Sequence, residues 1–143
     1  RFLLRIRLGY PDPLAERALL MGEDRRSLLE RRTPALEADD LIALQHAARS
    51  VHVAERLIDY VQALLSATRH DAELSAGLSP RAGLGLLSVA RAWALMQGRD
   101  HVLPEDVQGL FPHLAGHRLH LAGDGRPVTG ATLMRLLHAV ALP

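Results

Sequence analysis

LSPRAGLGLLSVARAWALMQG, residues 78–98, is the stretch on which the fold turns. Ser79 suits a helix N-cap, because its hydroxyl can accept a backbone N–H two or three residues on, and Pro80 suits the first helical position. Gly98 marks the stop, so the spacing predicts a helix over about 80–97. Leu84, Leu86, Leu87, Val89, Trp93, Leu95 and Met96 leave it apolar or small almost all round, the pattern of a central buried helix in a bundle, with Trp93 as core. One residue interrupts that pattern. Arg81 falls in the first turn, where a cation opposes the helix dipole at a cost of a few tenths of a kcal/mol up to about 1. The arginine makes sense if an anion shares the site, since free N–H groups, the positive helix end and a guanidinium would converge on a phosphate. A surface arginine tolerating a small penalty is the other physical reading.

Outward from this helix the chain continues as helical segments. Residues 54–70 place Leu57, Val61, Leu64, Leu65 and Thr68 on one stripe, and residues 37–49 open with Glu37, Asp39 and Asp40, which complement a helix N-terminus better than they suggest a metal site. Asp12, Pro13 and Gly22 frame a short helix over 13–21, and Pro104 starts another. A polar turn at 123–127 precedes a last helix over 129–141. Between the first two helices, residues 23–33 carry Arg25, Arg26, Arg31 and Arg32. Interleaved Glu23, Asp24 and Glu30 make this a solvated connector rather than a phosphate patch. At the other extreme, residues 2–9 alternate, with Phe2, Leu4, Ile6 and Leu8 opposite Arg5 and Arg7, the period of a half-buried strand. Residues 51–53 and 117–121 are only short strand candidates, so this strand lacks partners. The expectation is one strand feeding a bundle of five or six helices.

Composition narrows the function. The 143 residues suit one domain, and 48% hydrophobic with 23% charged residues is a globular balance. Aromatics make up only 3%, which favours a core of leucine, alanine and valine between helices. Seventeen basic residues against 16 acidic ones give +1, which points to no polyanion. All 17 are arginine, so the chain cannot hold the lysine of a phosphate-binding Walker A loop. Cysteine is absent, which removes thiolate metal sites and cysteine nucleophiles. His113, His117 and His120 have helical spacing for zinc, but Gly116 interrupts it and no carboxylate joins them, so no metal is expected. Asp100 and His101 have no serine in a nucleophile elbow to complete a triad. No apolar run is long enough to span a bilayer and nothing reads as a signal peptide, which makes the cytoplasm the expected location. A start at Arg1 rather than methionine suggests a piece of a longer protein.

Three stretches carry a resemblance. RFLLRIRLGYPDPLAERALL (1–20), VHVAERLIDYVQALLSATR (51–69) and LSPRAGLGLLSVARAWALMQGRDHVLPEDVQ (78–108) resemble, in order, the end of the core and the lid of MoxR-type AAA+ ATPases. The serine-proline-arginine helix start is the most specific of these. The resemblance implies that residues 1–10 are the last strand of the nucleotide-binding core and 11–143 the helical lid. It makes Arg81 the sensor 2 residue, which reaches ATP phosphates from the lid and couples hydrolysis to lid rotation, and Arg1 an arginine finger toward a neighbouring subunit. It further implies ATP with Mg2+ in the full-length protein, with neither expected on these residues alone, which would be inactive without Walker A and B motifs. The implied assembly is a hexameric ring with a chaperone-like role, partnered by a protein bearing a von Willebrand factor A domain. The competing reading is a helical adaptor or DNA-binding module, with Arg81 on a nucleic-acid phosphate; the near-zero charge counts against it. The sequence departs from the family at Leu103, where a threonine or serine cap is usual, so the helix after it is expected to fray. After Leu119 no motif matches.

Overall fold

Pro13–Met21 forms the first helix, α1, in a computed structural model that describes residues 2–22 and 24–143. Asp12 caps it, its carboxylate accepting the N–H groups of Leu14 and Ala15 at 2.9 Å each. A six-residue helix, α2 (Arg25–Glu30), follows where the sequence shows only a charged connector; Asp24 caps it through Arg26 N–H. Then come α3 (Ala38–Ser50), α4 (Glu55–His70), α5 (Pro80–Met96), α6 (Pro104–Ala115) and α7 (Gly130–His138). The chain is mainly α, as the periodicities predict.

Helix α5 is central, packed on α3, α4 and α6, while α7 closes the bundle against α4 and α6. Its buried stripe is Ala82, Gly83, Leu86, Ala90 and Ala94, residues about four apart and mostly small. Here the structure corrects the reading of α5 as buried all round. Neighbouring helices approach it across alanines and a glycine, leaving no space for large side chains, so Leu84, Trp93 and Met96 turn outward at 70%, 42% and 75% exposure. Trp93 is therefore not core. The volume is filled instead by Leu86 of α5 and by Leu64, Val107, Phe111, Leu114, Leu119 and Leu136 from the surrounding elements.

Residues 2–9, read as a strand, join no sheet among the described residues. A strand needs a neighbouring backbone edge, and the short candidates are already engaged elsewhere: His52 bridges His101, Leu74 bridges Leu121, and His120 bridges Pro127. The N-terminal segment lies against α5 and α6 instead, with Leu4 on the core and Arg5 N–H donating to His113 O at 2.9 Å.

The start of α6 also departs from expectation. Leu103 supplies no side-chain cap, yet Asp106 accepts Leu103 N–H at 2.8 Å and a two-pronged bond from Arg99, 2.8 and 2.6 Å. The helix is tied from within. The tail docks on the bundle through Leu133, Leu136 and Leu137. Arg135 secures it with ion pairs at 2.8 Å to both Asp71 and Glu73.

Candidate functional site: the N-terminus of α5

The loop before α5 decides where that helix points, and one buried hydroxyl fixes the loop. Thr68 Oγ1 donates to Leu65 O at 2.7 Å and accepts Leu78 N–H at 2.9 Å. Arg69 Nε donates to Leu78 O at 2.9 Å, so both backbone groups of Leu78 are tied to α4. Gly77 permits the approach: a Cβ there would stand 2.5 Å from Arg69 Cα. Replacing Thr68 by valine keeps the shape but strands a buried N–H, which costs about 1–3 kcal/mol. Urea unfolding of Thr68→Val should show that loss, and a midpoint equal to wild type would refute the pin.

Ser79 then caps α5, its Oγ accepting Ala82 N–H at 3.3 Å, and Pro80 occupies the first position without an N–H to satisfy. Arg81 follows in the first turn. It is exposed, and among the described residues its guanidinium has no hydrogen bond or ion pair. It borders a groove of about 600 Å³ lined by Phe2, Leu3, Ser79, Ala82, Leu84, Gly85 and Arg118, with no carboxylate among them. Two guanidiniums, a positive helix end and no acidic side chain make a groove suited to an anion. Nothing in its lining suits a divalent cation.

Arg118 is the feature that sequence reasoning missed. It lies past the motif, and only the fold brings it to Arg81. Its guanidinium donates to Phe2 O at 2.7 Å and Leu3 O at 2.9 Å, and burial lowers its pKa.

Other candidate residues scatter. Arg1 and Glu23 lie outside the described residues, as does the side chain of Arg25. Arg26, Arg31 and Arg32 are exposed on or just beyond α2, away from the groove lining. The three histidines do not gather: His113 Nδ1 is 3.2 Å from Arg5 O, His117 Nε2 is 3.3 Å from Phe2 O, and His120 O accepts from Ser75. No group of three metal-ligating side chains occurs among the described residues. Asp40 accepts Glu37 N–H at 3.2 Å, the helix-start role expected of it. Asp100 and His101 pair at 2.8 Å on the surface. Among the described residues no helix is long and apolar enough to cross a membrane.

Comparison with known proteins bears on this geometry. The family described as AAA lid domain matches residues 66–135, a span that holds Thr68, Arg81 and Arg118. The chain is 36% identical to the protein named Chaperone MoxR1 of Mycobacterium tuberculosis, aligned over 100% of this chain and 41% of that protein. It is 32% identical to the uncharacterized protein YeaC of Bacillus subtilis, over 88% and 39%, and 29% identical to Protein MoxR of Methylorubrum extorquens, over 85% and 41%. A crystal structure from Cytophaga hutchinsonii, provisionally named an ATPase, superposes with a TM-score of 0.80 at 27% identity, over 100% of this chain and 47% of that one. The chain thus spans about two fifths of the length of these curated relatives. From the lid match, the shared helical architecture and the MoxR relatives together, the chain belongs to the MoxR family of AAA+ ATPases, as the portion that holds the helical lid.

Proposed function

We propose that Arg81 is the sensor 2 arginine of this lid, contacting the phosphates of ATP held by the nucleotide-binding part of the protein. The observation that carries the reading is an exposed, unpaired guanidinium at the capped N-terminus of α5, opening on a groove without carboxylates. A phosphate there would meet the helix dipole and a charge already in place, so little reorganisation is needed when it binds.

In this reading, residues 1–10 complete the core as its last strand and 11–143 form the lid. ATP with Mg2+ binds the core, whose Walker motifs lie outside these residues, and hydrolysis rotates the lid. The protein would be a cytoplasmic ATPase working as a hexameric ring in the chaperone-like maturation or activation of partner proteins, one of them with a von Willebrand factor A domain. The relative named Chaperone MoxR1 supports the chaperone element. Arg1 would act as an arginine finger toward the neighbouring subunit, a role resting on the resemblance alone. Nucleic acid is the weaker ligand class, since the net charge is only +1. The test is ATP turnover and nucleotide affinity of Arg81→Ala in the whole ATPase.

A further inference from the structure

The last four carbonyls of a helix lack partners within it. In α6, Pro112 O accepts Gly116 N–H at 3.0 Å, and Ala115 O accepts the N–H groups of Arg118 and Leu119 at 2.9 and 3.0 Å. The other two are served from elsewhere. His113 O takes Arg5 N–H, and Leu114 O takes Arg118 Nη1. The N-terminal segment and Arg118 therefore finish α6 together.

Arg118 does more than cap. Its Nη1 also reaches Leu3 O at 2.9 Å and stands 2.8 Å from His117 Nε2, and its Nη2 reaches Phe2 O at 2.7 Å. Among the described residues it has no carboxylate partner. A planar guanidinium can serve several carbonyls at fixed angles, which a lysine ammonium on its flexible stem cannot reproduce. The carbonyls it holds belong to the two residues that wall the Arg81 groove. Leu3 is pressed onto α5 one turn beyond Arg81, where Gly85 makes room: a Cβ on that glycine would lie 2.7 Å from Leu3 Cδ1.

We propose that Arg118 is a positioning residue for Arg81: by gripping the carbonyls of Phe2 and Leu3 it holds Leu3 on α5 at Gly85, one turn from Arg81, and so fixes the wall of the groove on which Arg81 opens. The proposal rests on the sensor reading of Arg81 and deepens it, because the groove wall and the arginine that meets the phosphate then move together.

Two measurements test it. In this chain, NMR amide exchange at Arg5 should quicken by about tenfold or more in both Arg118→Ala and Arg118→Lys, since the segment loses its grip. In the whole ATPase, Arg118→Lys should lower kcat for ATP about fivefold with KM changed less than about twofold, a smaller loss in the same direction as Arg81→Ala, because the charge it positions acts in the transition state. The double variant Arg81→Ala/Arg118→Lys should be no worse than Arg81→Ala alone, because one residue acts through the other. Lysine keeps a cation at the end of α6, so this variant carries the test should alanine unfold the lid. Unchanged Arg5 exchange, or losses that add in the double variant, would overturn the proposal. Failure of the sensor reading is separate: it shows as wild-type kinetics in Arg81→Ala alone, and would remove the kinetic half of this proposal with it.

Discussion

Arg81→Ala in the whole ATPase is expected to lower ATP turnover on the order of a hundredfold, the scale of losing one preorganised charge from a phosphoryl transition state. The lid should stay folded. Arg81 is exposed and has no partner among the described residues, and its removal relieves an unfavourable dipole contact. Circular dichroism and the melting temperature should therefore match or slightly exceed wild type while ATP hydrolysis collapses. Such a dissociation distinguishes a functional arginine from a structural one. Turnover and nucleotide affinity both at wild-type level would refute the sensor role.

Asp106→Ala is expected to destabilise the lid by about 3 kcal/mol, near the lower end of what removing one partner from a buried pair costs. The carboxylate is 6% exposed and holds Arg99 at two points and Leu103 N–H at a third. Its loss strands Leu103 N–H and Arg99 Nη2 and frees the start of α6, although Arg99 Nη1 keeps His101 O at 3.1 Å and the guanidinium, 24% exposed, recovers part of the cost. Burial pushes the Asp106 carboxyl up, but the bonds from Arg99 and Leu103 outweigh it and hold the pKa below the usual carboxylate range. Asp71 is lowered as well, chiefly by its bond from Arg135. For a group whose folded pKa is depressed, the stabilisation is complete above the unfolded value of about 3.9 and disappears as pH falls through the folded one. The melting temperature should hold steady from about pH 7 to 5 and drop below about 4, less steeply in Asp106→Ala. Equal steepness in both proteins would show that Asp106 is not the group being titrated.

Local signals carried most of this fold. Asp12, Ser79, Pro80 and Pro104 mark helix starts that the structure places where their chemistry predicts, since capping acts over three residues and needs no tertiary context. The resemblance at the serine-proline-arginine start likewise singled out Arg81. What stayed hidden depends on distant residues meeting. Residues 2–9 join no sheet among the described residues, and the bond of Arg5 N–H to His113 O of α6 links positions too far apart for any sequence pattern to show. Trp93 looked like core because apolar residues surround α5, yet a helix packed through its smallest residues leaves its largest ones outside. Thr68 read as one more member of an apolar stripe, and its two hydrogen bonds became visible only with Leu78 in place. Arg118 is about 115 residues from the carbonyls it grips, beyond the reach of any spacing rule.

A helix of 17 residues is about 25 Å long. Arg81 stands at one end of α5 and Met96 at the other. Its own buried face is mostly alanine and glycine, packed against large side chains such as Leu64 and Phe111 in an interior of low compressibility. Mechanically α5 is a lever seated in a tight bearing. A tilt of so stiff a helix would displace Arg81 and the exposed Trp93 and Met96 together.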